Sequence, residues 1–445
     1  MTEQPQPDIE KLSECVERVL QLARQHGASD AEGSASFRAG LSVTARMRDV
    51  ETLEYHRDQG LGVTVFFGQR KGNASTSDLG EAAIEETVRR ACGLAQFAAE
   101  DECAGLADPQ RLAKDIPDLD LYHPWSIEPH QAIDRAIECE AAALDADKRI
   151  GNSEGATLST SSGQSVYGNT NNFLAGFRTS SHSLSCAVVA QDAGQMERDY
   201  EYTVSRRAED LVSGVLIGRQ AAERSLHRLG AQKIDTCKSP VLLSPRIARG
   251  FFGHLLGAIS GGSQYRKSTF LLDSVASQVL ADCVSIDERP HIPGGLASAP
   301  FDAEGVETQD RCLVEHGVIK GYVLSSYYAR KLGLQTTGNA GGIHNLVVSH
   351  TDQSFADLLA SMDTGLLVNE VMGQGVNPVT GDYSRGAAGF WVEGGEIQYP
   401  VAEITIAGNL RDMYRNIVAL GNDTDLRGGI QTGSVLLEEM TLAGN

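Results

Sequence analysis

Ser244-Pro245-Arg246-Ile247-Ala248-Arg249-Gly250-Phe251-Phe252-Gly253-His254-Leu255-Leu256-Gly257-Ala258, followed by Gly261-Gly262 and Arg266-Lys267-Ser268-Thr269, reads as a helix laid against a sheet. Ser244 suits the N-cap and Pro245 the first helical position, where a missing N–H costs nothing. At about 100° per residue, Ile247, Phe251, His254, Leu255 and Ala258 share one side, and Gly250, Gly253 and Gly257 line the adjacent face. Each glycine weakens a helix by about 1 kcal/mol relative to alanine. Two compatible reasons would justify three of them: a second backbone packed close, or a cleft that admits an extended peptide. His254 could serve as a base, a ligand or a core residue; a lone histidine on an apolar helical face is more often hydrogen-bonded and structural. A catalytic zinc needs three protein ligands and an open position, and a zinc peptidase also needs a carboxylate to take the proton from water. The helix offers one candidate ligand. His291, His316, His344 and His350 fall on turns or strand ends, and nothing in their spacing gathers them around it.

Around this helix the chain is β-rich and dense in glycine pairs: Gly261-Gly262, Gly294-Gly295, Gly341-Gly342, Gly394-Gly395 and Gly428-Gly429. Such pairs between short β runs mark tight turns and close backbone approach. Arg311 to Val323 reads as a hairpin turning at His316-Gly317, and Phe390 to Gln398 as another turning at Glu393-Gly394-Gly395-Glu396. Residues 236–445 are therefore expected to form a large, curved, mostly antiparallel and barrel-like sheet with the helix packed on it.

Upstream the texture differs. Ile9 to His26 has helical apolar spacing and ends at Gly27. Residues 31–38, 41–48 and 60–68 alternate as antiparallel strands, and Asp78 is placed to cap a helix over 79–98. Residues 101–124, with Pro109, Pro117 and Pro124, read as a surface linker. A helix over 126–146, β structure over 149–202 with a turn at Asn169-Thr170-Asn171-Asn172, and a helix over 209–229 complete the region. The chain divides into blocks 1–105, 106–235 and 236–445. The fold class is α+β: antiparallel strands flanked by helices, then the glycine-rich β domain.

The net charge of −21 disfavours nonspecific contact with nucleic acid or an anionic membrane, since either requires a basic face. No signal peptide is evident in the polar N-terminus with its Pro5 and Pro7, and no apolar run is long enough to span a bilayer. Eight scattered cysteines without a Cys-x-x-Cys pair fit a reducing compartment, so a cytoplasmic location is expected. No Gly-x-Ser-x-Gly elbow occurs. Ser161-Ser162-Gly163 and Ser180-Ser181-His182 sit in polar β-like stretches, which argues against serine catalysis.

The chain resembles the TldD/PmbA family over nearly its whole length. The resemblance is carried by the helix above, Gly60-Leu61-Gly62-Val63, Gly338-Asn339-Ala340-Gly341-Gly342, Gly373 through Ser384, Gly386-Ala387-Ala388-Gly389, Tyr399 through Asn409 and Val418 through Asp423. In the TldD branch this helix carries a His-Glu-x-x-x-His zinc motif. Aligning the shared Arg266-Lys267 pair puts Gly253, His254 and Ala258 at those three positions. That branch also has a cysteine ligand near its C-terminus, whereas here no cysteine follows Cys312. The resemblance is therefore to the PmbA (TldE) branch.

It implies a metal-free subunit of a TldD/TldE-type metallopeptidase. Zinc is expected only in a TldD-like partner, and no cofactor or catalytic residue in this chain. The implied substrates are unfolded peptides, in leader-peptide processing and antitoxin turnover, and the chain alone could form a homodimer. Candidate peptide-binding or partner-interface residues are His254, Arg266, Lys267, Gly373, Gly375 and Asn377. Two other readings stay open: an autonomous metallopeptidase with a site of another kind, and a non-proteolytic regulator of DNA gyrase or another complex.

Overall fold

The computed structural model describes residues 8–444, so the N-terminal Pro5 and Pro7 lie outside the described residues. The N-terminal half is built on a six-stranded antiparallel sheet. Its strands are β1 (Asp30–Arg46), β2 (Asp49–Phe67), β3 (Arg70–Thr76), β4 (Ile150–Asn169), β5 (Phe173–Asp192) and β6 (Gln195–Ser205), in the order β3-β2-β1-β4-β5-β6. Ala31, Ala35, Phe37, Leu41, Val43 and Ala45 of β1 are all buried. Their odd numbering keeps them on one face. Four helices cover that face. The helices α1 (Ile9–Gln25) and α2 (Glu81–Phe97) pack over Ala35, Val63 and Val65, and α3 (Pro129–Leu144) and α4 (Gly214–His227) over Val43, Leu158 and Val188.

Several boundaries differ from the sequence expectation. Residues 31–38 and 41–48, expected as two strands, are one. Apolar parity is unbroken across Ala39-Gly40, and Gly40 is required because a Cβ there would collide with the Thr160 carbonyl and the His56 ring. Gly80, not Asp78, is the N-cap of α2; Asp78 instead accepts from the Gly80 N–H at 2.8 Å. Helix α4 begins at Gly214 rather than 209, capped by Ser213, whose hydroxyl accepts from Leu216 N. Residues 101–124 are not a surface linker. Leu106, Leu112, Leu119 and Leu121 are buried, and the backbone bonds alternately to the N-terminal sheet (Ser180 N to Leu121 O, 2.9 Å) and the C-terminal half (Ala113 N to Gly305 O, 2.9 Å; Gly294 N to Leu119 O, 2.8 Å). The β1–β4 ladder joins blocks 1–105 and 106–235 in one sheet.

The C-terminal half continues with β7 (Cys237–Leu243), β8 (Ile286–Glu288), β9 (Arg311–Glu315), β10 (Val318–Ile319) and β11 (Leu346–Val348). Then come β12 (Gly365–Met372), β13 (Asp382–Glu393), β14 (Glu396–Asn409), β15 (Ile417–Leu420), β16 (Ile430–Gln431) and β17 (Val435–Ala443). Strands β14-β13-β12-β7-β17 pair in sequence, and β17 pairs back to β14 through Ile406 and Leu442, closing a barrel. All its pairs are antiparallel except β7–β12. The short strands β8 to β11 and β16 form a second sheet. Both expected hairpins are present, as β9–β10 and β13–β14. No helix among the described residues is long and apolar enough to cross a membrane.

Helix α5 (Pro245–Ala258) leaves β7 after a single residue. It buries Ala248, Phe251, Phe252, Leu255 and Ala258 against Leu243, Val368, Tyr414 and Leu437. The buried Tyr414 hydroxyl donates to the Phe251 carbonyl at 2.8 Å, fixing the helix on this face. Leu242 and Leu367, of opposite parity, pack instead beneath the helix Phe355–Met362.

Candidate functional site

The glycine face of α5 is open. A Cβ at Gly250, Gly253 or Gly257 would meet nothing within 4 Å, so close backbone packing does not explain these residues. Gly253 and Gly257 instead form one wall of a groove of about 270 Å³, opposite Gly373, Gln374 and Val376. Because neither glycine has a steric reason, Gly253→Ala and Gly257→Ala should each stabilise the fold by about 1 kcal/mol, the intrinsic helix difference. Urea unfolding would register this as a rise in midpoint at unchanged slope.

His254 lines the same groove, half-buried, with its ring edge-on to Tyr383 at a centroid distance of 6.2 Å. Burial, and then the guanidinium of Arg385, push its pKa below the ordinary value, so the imidazole is neutral at pH 7. Arg385 also lines the groove, and its Nε is buried with no hydrogen-bond partner. Sequence reasoning missed Arg385, which lies in β13, 131 positions after His254, with no pattern linking the two.

A catalytic zinc does not fit this donor set. Among the groove residues one imidazole could bind a metal, no carboxylate or thiol accompanies it, and the neighbouring guanidinium would repel a cation. No cluster of three or more His, Cys, Asp or Glu side chains suited to a metal occurs among the described residues. The other histidines named from sequence bond locally: His291 to Thr308 (3.0 Å), His316 to Asp282 O (3.3 Å), His344 to Glu288 (3.3 Å) and His350 to Asp352 (2.9 Å). His182 of the Ser-Ser-His run lies between Thr160 Oγ1 (2.7 Å) and His123 O (2.8 Å), and Ser180 donates to Arg206 O (2.8 Å).

The remaining sequence candidates separate. Gly373 borders the groove with φ +79°, a conformation glycine adopts readily. Gly375 packs against β13, where a Cβ would collide with the Ser384 carbonyl oxygen. The Asn377 side chain is engaged in its own loop, its Oδ1 accepting from Val379 N at 2.9 Å. Arg266 and Lys267 are exposed beyond the short helix Gly261–Tyr265 and form no ion pair among the described residues; Arg266 donates to the Tyr328 hydroxyl at 3.3 Å. The structure thus gathers His254, Gly253 and Gly373 at one groove and places Arg266, Lys267 and Asn377 outside its lining. A second cavity, at the other end of α5, was not foreseen, because its arginines are spread over about 200 positions.

Residues 31–95, 122–229 and 236–444 match, in order, domain 1, the central domain and the C-terminal domain of the PmbA/TldA metallopeptidases. The chain is 52% identical to metalloprotease PmbA of Escherichia coli O157:H7, over 97% of this chain and 96% of that protein. It is 23% identical to a metalloprotease TldD homologue of Haemophilus influenzae, over 84% and 82% respectively. The crystal structure of a Bacteroides thetaiotaomicron protein described as a modulator of DNA gyrase superposes with a TM-score of 0.92 at 27% identity, covering 97% of this chain and 98% of that one. With all three domains matched in order and half of its residues shared with a PmbA, the chain belongs to the PmbA/TldD metallopeptidase family, in the PmbA/TldE branch.

Proposed function

We propose that this chain is the metal-free, peptide-holding subunit of a two-subunit TldD/TldE-type peptidase, acting in the cytoplasm on unfolded segments. Zinc and bond cleavage belong to a TldD-like partner. The observation that carries this reading is the donor set of the α5 groove: one neutral imidazole beside a guanidinium, on a helix whose glycines leave room for a main chain. Such a groove suits an extended peptide. The unpartnered Nε–H of Arg385 can donate to a peptide carbonyl, and neutral His254 can donate through one ring nitrogen and accept through the other. Recognition through main-chain groups depends little on side-chain identity, which suits unfolded substrates of varied sequence.

The test is metal analysis and reconstitution. The purified chain should carry no stoichiometric zinc and cleave no unfolded peptide. Adding the TldD-like subunit should give more activity than that subunit shows alone. Zinc-dependent cleavage by the pure chain would instead make it an autonomous metallopeptidase. Absence of any gain on mixing, with DNA gyrase retained in a pull-down in place of the TldD-like subunit, would favour the regulator.

A further inference from the structure

The cavity at the N-terminal end of α5 has a volume of about 550 Å³ and lies where the N-terminal sheet meets the barrel. Two independent features there call for an anion. The first is the helix terminus. Pro245 has no N–H, and Ile247 N and Ala248 N both bond back to Ser244 O at 2.9 Å, while Arg246 N–H, in the first turn, has no intrahelical acceptor. The second is Ser244 itself. It occupies the N-cap as expected, but its side chain makes no capping bond. The residue is 7% exposed and lines the cavity, and its Oγ is buried without a hydrogen-bond partner. A buried hydroxyl left unsatisfied is costly, and a ligand acceptor would relieve it.

The charges define the ligand further. Arg224, Arg228, Arg246 and Arg427 line the cavity, and each is already ion-paired: Arg224 and Arg427 with Glu201, Arg228 with Glu197 and Glu370, and Arg246 with Asp199. With no guanidinium left unpaired there, the site takes one added negative charge more readily than a phosphate dianion, and the convergent N–H and O–H donors match the two oxygens of a carboxylate. Pro245, Phe390 and Leu426 supply an apolar wall.

We propose that this cavity binds the C-terminal carboxylate of a peptide whose last residue is apolar. The Ser244 hydroxyl and the Arg246 N–H donate to the carboxylate, and the terminal side chain lies against Phe390 and Leu426. The inference rests on the reading that the chain handles peptides, and it adds a site separate from the His254 groove.

The experiment uses the full chain alone and an N-terminally labelled pentapeptide, Ala-Ala-Ala-Ala-Leu, as free acid and as C-terminal amide, read by fluorescence anisotropy. The free acid should bind and the amide at least about tenfold more weakly, the scale of a hydrogen bond to a charged group. S244A, which removes a hydroxyl that bonds to nothing in the fold, should weaken the acid about tenfold at unchanged thermal stability. L426E, at a residue 63% exposed, should abolish binding by setting a carboxylate at the mouth of the cavity. G250W, at an exposed position that lines neither cavity, should leave it intact. Equal binding of acid and amide, no binding of either, or indifference to both S244A and L426E would overturn the proposal. So would loss of binding in G250W, or displacement by inorganic phosphate at lower concentration than by acetate. Reconstituted cleavage is a separate readout, so this site can fail while the peptidase reading stands.

Discussion

Arg427→Ala should destabilise the chain by about 3 kcal/mol, the lower end of the cost of breaking a buried ion pair from one side. Arg427 bonds Glu201 Oε1 at 2.5 Å, the Tyr202 carbonyl at 2.6 Å and Asp425 Oδ1 at 2.9 Å, and lies over the Tyr202 ring at 4.4 Å. The Glu201 and Asp425 side chains are only 4% and 8% exposed. Without Arg427 they keep Arg224 and Arg249 respectively, so each carboxylate loses part of its compensation. The same bonds tie β6 of the N-terminal sheet to the loop beside the barrel, so urea unfolding of the variant should show the two halves beginning to separate. Arg427→Lys should recover only part of the loss, because an ammonium cannot make the forked contact or stack on Tyr202.

The pH dependence of that difference has a definite sign. Burial alone would raise the Asp425 carboxyl, but hydrogen bonds from Arg427 and the charges of Arg249 and Arg427 outweigh it and hold the pKa below the ordinary value of 3.8. A depressed carboxyl contributes stability that is present above its unfolded pKa and is lost as pH falls through the folded one. The gap between wild type and Arg427→Ala should therefore be full at pH 7 and shrink below about pH 4.

Gly257→Trp should lower peptide cleavage by the reconstituted two-subunit assembly by about a hundredfold, the scale on which misplacing a substrate costs rate. The indole would occupy the groove beside His254 without a clash at its Cβ, so folding of the isolated chain should be retained. Gly250→Trp is the control. Gly250 is equally open and exposed on the same helix, but it does not line the groove. Full activity in both variants would remove the groove from the peptide path, whereas loss in both would point to helix damage.

What the sequence disclosed follows from how local each signal is. Helix α5 was legible because capping position, Pro245 and apolar spacing all lie within 15 residues, and the two hairpins because glycines mark their turns. The exposed first half of β2, residues 49–59, was not legible, since it buries nothing and lacks apolar alternation. Residues 101–124 were misjudged for a related reason. Their leucines enter separate sites one at a time, which leaves no period to detect. The groove was half legible: Gly253, His254 and Gly373 stood out, while Arg385 and the loop engagement of Asn377 depend on contacts no spacing reveals. The Ser244 cavity was invisible, because four of its arginines come from three distant segments and the unpaired hydroxyl exists only in three dimensions.

The strand that seals the barrel, β17, is translated after all the others, yet it is hydrogen-bonded to β7, β14 and β15. During synthesis β7 must therefore wait nearly two hundred residues for one of its two neighbours, while β13 and β14 zip locally. The N-terminal sheet has every strand it needs by Ser205 and can form first. A chain cut short before β17 would carry a finished front half and an open ring. Such a product would expose raw strand edges, ready templates for pairing with other chains.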